Sequence, residues 1–176
     1  MKKVDIIHGG WLKAPNGASS VLRTLAESTS KFEEYGIQLS VYSMDLIVLK
    51  SFENIAAINQ RKGLRYFIKK NANANSILAF ISIYAIYLRH ARKIVKYYFD
   101  QGLEESRILF IHDIFTCYYY LKYRSRRQKT VLVLHNNGDT FNMLRQYYPV
   151  LNKSRLYSIL LLSLIHISEP TRPRLI

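Results

Sequence analysis

The sequence predicts an α/β fold with a doubly wound parallel sheet, and two observations lead to that prediction. Residues 3–8, 107–113 and 130–135 form short, nearly continuous apolar runs, which are typical of strands buried on both faces of a parallel sheet. Stretches with helical spacing of apolar residues alternate with these runs, and this alternation is characteristic of α/β proteins.

The first quarter of the chain predicts a βαβ unit. Its first strand ends at Gly9-Gly10, and the helix that follows begins at Ala18 and ends near Gly36. Residues 37–43 alternate apolar and polar side chains and are rich in strand-forming residues. Strand, helix and strand in this order are joined by a right-handed crossover.

The middle of the chain predicts one long helix and two further strands. Residues 46–75 show no clear pattern, whereas residues 76–99 form a helix that is apolar in its first half and basic in its second. Residues 107–113 and 130–135 are the two strands, and a helix through residues 118–121 connects them.

The net charge of +14 is concentrated in the middle of the chain. Residues 61–129 carry fifteen Lys and Arg against four Asp and Glu, a net charge of +11, whereas residues 1–60 are neutral. A basic segment of this kind indicates an anionic membrane surface, a phosphate-bearing lipid or nucleic acid, and a plain solvated face accounts for it equally well.

Cysteine usage and hydropathy predict a cytoplasmic protein, either free or peripheral on the inner face of the cell membrane. Cys117 is the single cysteine, which excludes an internal disulfide, and we expect it to be a small buried side chain rather than a nucleophile. Two glycines interrupt the first apolar run too early for a secretory signal. The longest apolar stretches, 77–88 and 158–167, are shorter than the roughly 20 residues that span a bilayer.

Polar residues follow the three apolar strands at the point where each one ends. They are His8, His112, Asp113, His135, Asn136, Asn137 and Asp139. Because the carboxyl ends of parallel strands lie at one edge of a sheet, we expect these residues to converge on one crevice. Each histidine alone fits a hydrogen-bonded core or loop residue equally well, but the three together favour a site, since buried polar groups need partners.

The start of the first helix is a candidate phosphate site. Free backbone N–H groups and the positive end of the helix dipole favour an anion beside Asn16, Gly17 and Ala18. Gly17 permits close backbone approach, or alternatively only turns the chain.

Several common enzyme patterns do not occur in the sequence. The glycine spacing does not match G-x-G-x-x-G, and Asp45 lies too late for a ribose, so an NAD enzyme is not expected. No P-loop lysine pattern, G-x-S-x-G elbow, H-x-x-x-H or C-x-x-C occurs, and no metal is expected.

The order of these features resembles the family-four retaining glycosyltransferases of GT-B fold. Gly9-Gly10, the loop, the helix that starts with Gly17-Ala18 and the strand at 37–43 are similar to the opening of that family, and the ends of the later strands resemble its strand ends. The resemblance covers roughly residues 3–160. It implies a Rossmann-like acceptor-binding domain, the N-terminal half of a GT-B fold, in an enzyme of cell-surface polysaccharide synthesis.

The resemblance also implies roles for individual residues. His135 is implied as the catalytic residue beside the transferred sugar, and Gly17 and its neighbours are implied to approach the diphosphate of a nucleotide-sugar donor. No metal or other cofactor is implied, and the acceptor is a glycan or a lipid-linked molecule. A lipid-linked acceptor agrees with the basic segment 61–129 as the surface that faces an anionic membrane, so we expect the membrane surface as its partner. The residues implied to bind substrates are Asn16, Gly17, Ala18, His112, Asp113, Asn136, Asn137 and Asp139.

We expect residues 1–161 to form this domain, incomplete at its C-terminus, and residues 162–176 to be a non-native tail. Residues 162–172 match the translation of a transposase mosaic-end sequencing adapter, the alternative being a genuine helix end with a proline stop. Because the family's donor-binding domain is not among these residues, we expect negligible sugar transfer by the chain alone. A helix starting near residue 152 would be interrupted, and its partly uncovered apolar residues are Leu156, Ile159, Leu160 and Leu161.

Two other functions stay open. A basic nucleic-acid-binding module would interleave aromatic and basic residues on one surface, as the run at 118–129 does. The consecutive tyrosines of that run are expected to pack in the core, so nucleic acid is not the expected partner. The third function is a membrane-peripheral module without catalysis.

Overall fold

The computed structural model is α/β, with a four-stranded, all-parallel sheet of strand order β2-β1-β3-β4. The strands are β1 (Lys2–Ile7), β2 (Ile37–Tyr42), β3 (Ile108–Ile111) and β4 (Thr130–Leu132). The structure describes residues 1–14, 17–48, 64–102, 107–124, 128–134 and 140–168. The predicted α/β class with a parallel sheet is confirmed, and the arrangement is compatible with a Rossmann-like domain.

Nine α-helices occur in the described part of the chain. They are α1 (Gly17–Glu27), α2 (Thr29–Glu34), α3 (Met44–Val48), α4 (Leu64–Asn71), α5 (Ser76–Ile83), α6 (Arg89–Asp100), α7 (Ile114–Tyr123), α8 (Thr140–Tyr147) and α9 (Arg155–Ser168). A π-helical turn, Tyr84–Leu88, joins α5 to α6, and a 3-10 turn, Pro149–Lys153, precedes α9.

The predicted single helix after the first strand is two helices, because the chain turns at Ser28. Ser28 separates α1 from α2 at the start of a run of hydroxyl residues, whose short side chains compete with the helical hydrogen-bond pattern. The helix predicted through 118–121 is longer than expected and begins at Ile114, since Asp113 caps it.

The long basic helix is confirmed but is not uniform. Asn75 caps its start by accepting hydrogen bonds from the backbone N–H groups of Ile77 and Leu78, at 2.8 and 3.3 Å. The π-helical turn then changes which side chains face the core, so that Leu88 is buried and Ile86 is exposed. Sequence periodicity does not reveal such an insertion, because a single extra residue leaves the apolar pattern intact on each side.

The main core packs the helices α6 and α7 against one face of the sheet. Ile7, Leu109 and Ile111 of the strands contact Ile94 and Tyr120 within this cluster. A second cluster joins α5, α7, α8 and α9 around Phe115, Leu144 and Tyr157. The consecutive tyrosines of α7 therefore contribute to the core, as expected, with Tyr120 fully buried.

A buried polar network crosses the sheet beneath α6. Asp5, fully buried on β1, accepts hydrogen bonds from Arg107 Nε at 2.7 Å and Arg107 Nη2 at 2.6 Å. The Tyr98 hydroxyl donates to the same carboxylate at 2.9 Å, and Gln128 donates to that hydroxyl at 2.9 Å. The network joins β1, α6 and the residues that flank β3 and β4.

The helix α9 leaves part of its apolar surface uncovered. Leu156 and Ile159 are exposed, as is Leu162, whereas Leu160 packs partly against the second core cluster. The expectation of partly uncovered apolar residues is thus met at Leu156 and Ile159, whereas the side chain of Leu161 lies outside the described residues. In the part of the chain that the structure describes, no helix is long and apolar enough to cross a bilayer.

Candidate functional site

A cleft of about 470 Å³ opens at the carboxyl ends of β1 and β3. The chain runs from β1 to β2 on one side of the sheet and then returns to β3 on the other, so this is the point where the strand order reverses. Open parallel sheets bind their ligands at such a switch point. The residues after β1, the start of α1 and the residues after β3 all line the cleft.

The floor of the cleft is held by Asp113, which links the ends of the two strands. Its Oδ2 accepts a hydrogen bond from the backbone N–H of Gly9 at 3.0 Å. Asp113 also caps α7, since its Oδ1 accepts from Thr116 N at 2.7 Å and its Oδ2 accepts from Thr116 Oγ1 at 2.6 Å. His8 Nδ1 lies 3.9 Å from the same carboxylate oxygen. Asp113 therefore positions the glycine loop and is still partly open to the cleft.

The loop after Gly10 is fixed by the buried carboxylate of Asp45. Asp45 accepts hydrogen bonds from the backbone N–H of Leu12 at 2.6 Å and from Ser43 Oγ at 3.1 Å. This contact holds Trp11 over the cleft, where its ring meets that of His90 edge to face at 6.0 Å. Asp45, which lies too late in the sequence to bind a ribose, has a structural role instead.

The wall opposite the glycine loop comes from the π-helical turn and the start of α6. Ile86, Tyr87 and His90 line the cleft there, and Tyr87 packs on Phe115 with the ring centroids 5.4 Å apart. Burial raises the pKa of Tyr87, and the neighbouring phenols of Tyr147 and Tyr148 raise it further. Tyr87 is therefore a neutral hydrogen-bond donor at physiological pH.

These wall residues were not among the sequence-predicted site residues. The sequence predicted one regular helix over 76–99, and a regular helix gives no reason to place Tyr87 and His90 at the sheet edge. The π-helical turn does so by inserting a residue, and such turns occur often at functional sites. The one available signal was His90 itself, the single histidine of that helix.

The start of α1 forms another part of the wall. Gly17 and Ala18 line the cleft, and a Cβ built on Gly17 meets no atom within 4 Å. Internal packing therefore does not require a glycine at position 17. Gly9 is different, because a Cβ there would lie 2.6 Å from Thr116 Oγ1 and 3.1 Å from Asp113 Oδ2.

The structure brings four of the predicted site residues into one cleft, together with His8 and the two glycines that follow it. These four are Gly17, Ala18, His112 and Asp113. The other five lie outside the residues that the structure describes, so their predicted roles stay predictions. These five are Asn16, His135, Asn136, Asn137 and Asp139.

Cys117 lies beneath the site and behaves as predicted for a buried structural thiol. Burial, with a smaller contribution from the Asp113 carboxylate, raises its pKa to about 11. The thiol is thus protonated at neutral pH and is a poor nucleophile. Among the described residues, no three histidine, cysteine or acidic side chains are grouped so that they could hold a metal ion.

Gly9 and Gly17, two of the glycines that line the cleft, are expected to respond differently to the same substitution. Gly9→Ala should lower the free energy of unfolding by about 1–3 kcal/mol, because the new methyl group meets the fully buried Thr116. Gly17→Ala should change it by less than about 0.5 kcal/mol, since space is open there. Urea unfolding of both variants measures the difference, and equal losses would contradict the assigned packing.

Comparisons with known protein families, with curated proteins and with solved structures gave no match to this chain.

Proposed function

We propose that the chain provides the acceptor-side domain of a retaining glycosyltransferase. Such an enzyme moves a sugar from a nucleotide-sugar to a lipid-linked or polysaccharide acceptor, in cell-surface polysaccharide synthesis. The observation that supports the proposal is the cleft at the switch point, where Gly9-Gly10, the start of α1 and His112-Asp113 meet. The sequence resemblance relates the same three segments to sugar transfer.

The start of α1 suits the diphosphate of a nucleotide-sugar. Backbone N–H groups in the first turn of a helix lack intrahelical partners and favour an anion. At Gly17 and Ala18 this turn borders the cleft, and Gly17 has no side chain that would keep a phosphate away. In sugar transfer the bond from the anomeric carbon to the diphosphate breaks, so negative charge grows where these N–H groups can stabilise it.

The opposite part of the cleft suits the acceptor. The hydroxyl groups of a sugar need polar partners, which His112 and Asp113 offer. The sugar ring packs on a flat apolar surface, which Trp11 and Tyr87 offer. The acceptor oxygen replaces the diphosphate oxygen on the anomeric carbon, and the hydroxyl proton leaves with the diphosphate. We propose His135 as the catalytic residue beside this carbon, with Asn136, Asn137 and Asp139 on the acceptor side.

Nucleoside diphosphate binding tests the donor side of the proposal. We expect the chain to bind at least one of UDP, GDP and ADP in isothermal titration calorimetry, and to bind it more tightly than the matching nucleoside. Gly17→Ala should weaken this binding about tenfold, because the methyl group separates the phosphate from a charge-assisted N–H bond worth about 1.5–3 kcal/mol.

A matched control uses the same helix turn away from the cleft. Ser20 is exposed on α1 and does not line the cleft, so Ser20→Ala should leave binding unchanged. No preference for any diphosphate over its nucleoside would contradict the proposed diphosphate site at the start of α1, as would equal affinities of the Gly17→Ala variant and the unmodified chain.

A further inference from the structure

A second concave site lies between α6 and α7, on a face of α6 different from the one that borders the cleft. It is a groove of about 370 Å³ lined by Arg92, Lys96, Phe99 and Tyr123. Arg92 and Lys96 are exposed and one helical turn apart on α6, so both cations face the same space. Among the described residues, no carboxylate lines this groove.

The aromatic walls of the groove are held in place by the core. Phe99 stacks on the buried Tyr120, with the ring centroids 5.6 Å apart and the planes 8° from parallel. Tyr123 stacks on Tyr119 at 5.9 Å and 17°. Because each ring already has an ordered partner, a ligand would not have to order the walls on binding.

The charge around the groove is strongly positive. Arg89 and Lys93 are exposed on α6, Lys122 is exposed on α7, and Arg124 is exposed directly after α7. With Arg92 and Lys96 this makes six cations on two adjacent helices and the residue that follows the second one. The Tyr123 hydroxyl adds a hydrogen-bond donor, so the groove favours an anion with several acceptor oxygens, such as a phosphate group.

An exposed apolar stripe runs along α5 into the first residue of the π-helical turn. Ile77, Ile81 and Tyr84 are 57%, 39% and 46% exposed and are spaced four and three residues apart, which places them on one helix face. The stripe adjoins the groove through α7, because α7 packs against the π-helical turn that begins at Tyr84, and its Tyr119 stacks on Tyr123 of the groove.

We propose that this groove binds the phosphate of an anionic phospholipid at a membrane surface, while the apolar stripe enters the acyl boundary. Cations beside half-exposed apolar and aromatic side chains form the pattern of interfacial membrane binding. Arg92 and Lys96 line the groove whereas His90 lines the cleft, so lipid in the groove leaves the cleft open. The inference does not depend on sugar transfer.

Vesicle sedimentation with two charge-matched double variants tests the groove. Arg92→Gln with Lys96→Gln removes the groove cations, and Arg89→Gln with Lys93→Gln removes the same charge from α6 outside the groove. For phosphatidylcholine vesicles containing phosphatidylglycerol, the groove variant should partition about 30-fold more weakly than the unmodified chain, at about fivefold per cation. The control variant should lose no more than about fivefold.

Tyr123→Ala provides a variant that leaves the charge unchanged. Its ring is 39% exposed at the groove, so the fold should tolerate the change, which circular dichroism can confirm. Vesicle partitioning should fall several-fold. Phosphatidylcholine alone should not bind the unmodified chain measurably.

Four results would overturn the inference. Equal losses in the two double variants would mean that only diffuse charge acts. Full binding of vesicles by Tyr123→Ala would show that the aromatic wall does not contribute to the site. Saturation of Arg92 and Lys96 by inorganic phosphate in solution, without binding to anionic vesicles, would replace the lipid with a free anion. Loss of oligonucleotide binding by the groove variant, with vesicle binding intact, would make the partner a nucleic acid.

Discussion

Replacing Arg107 with methionine is expected to lower the free energy of unfolding by about 3–5 kcal/mol, because the change leaves a buried carboxylate without its cation. Asp5 is fully buried, and both of its oxygens accept from Arg107, at 2.6 and 2.7 Å. Methionine fills much of the same volume, so the loss reports the uncompensated charge rather than a cavity. Urea unfolding at neutral pH measures it.

The remaining members of the network cannot replace the lost cation. Tyr98 donates to Asp5 at 2.9 Å, and Ser40 accepts from the Arg107 guanidinium at 3.2 Å, but both are neutral. The hydrogen bonds to Asp5 raise the pKa of Arg107, so this guanidinium carries its charge throughout the neutral range. A raised folded pKa gives stability that is lost only as the pH rises through that high value, so the contribution of Arg107 to stability should be constant from neutral to mildly alkaline pH.

Two controls separate charge burial from other effects. Arg23→Met removes an exposed guanidinium from α1 and should cost less than about 0.5 kcal/mol. Combining Asp5→Leu with Arg107→Met should recover part of the stability, since a buried ion pair is often replaceable by apolar side chains. A loss below about 1 kcal/mol for Arg107→Met alone would show that the Asp5 carboxylate does not depend on Arg107 to compensate its charge.

Replacing Asp113 with alanine should lower the free energy of unfolding by about 2–4 kcal/mol and open the floor of the cleft. The change removes the cap of α7, worth about 1 kcal/mol, and leaves the N–H of Gly9 and the hydroxyl of Thr116 without their acceptor. Thermal unfolding followed by circular dichroism measures the stability. Hydrogen exchange at the Gly9 amide measures the local opening.

Asp113→Ser separates the two contributions. Serine caps helices about as well as aspartate, so α7 should keep its first turn, but its shorter side chain should not reach Gly9. We therefore expect a smaller loss of stability together with fast exchange of the Gly9 amide. Slow exchange in both variants would show that the glycine loop does not depend on this carboxylate.

The sequence predicted the sheet well, for a physical reason that concerns particular residues. β1, β2 and β3 are within two residues of their expected bounds at either end. The apolar runs around Ile7 and Ile111 are as short as strands that are buried on both faces of a parallel sheet. β4 ends at Leu132, three residues before its expected end. Because the carboxyl ends of parallel strands lie at the same edge of a sheet, Gly9 and Asp113, which follow two such ends, were expected at one edge before any contact was known.

The contacts that hold this edge could not be predicted in the same way. Asp113 was expected to line a site, and the structure adds that its carboxylate joins the N–H of Gly9 across 104 positions in the sequence. Asp5 sits in a strand that reads as apolar, and its partner Arg107 is 102 positions away. Such pairs are not encoded by local spacing, because any of the 26 Lys and Arg could have been the partner.

By itself the sequence determined the α/β class, the parallel strands, the cationic middle segment and the meeting of Gly17, His112 and Asp113 at one sheet edge. Those features follow from hydrophobic period, charge count and chain direction, which are local or additive. Only the tertiary structure decided the cleft wall at Tyr87 and His90, and the groove formed by Arg92 and Tyr123. Both depend on how a π-helical turn rotates one helix against its neighbours, and that rotation results from packing between distant segments rather than from a pattern along the chain.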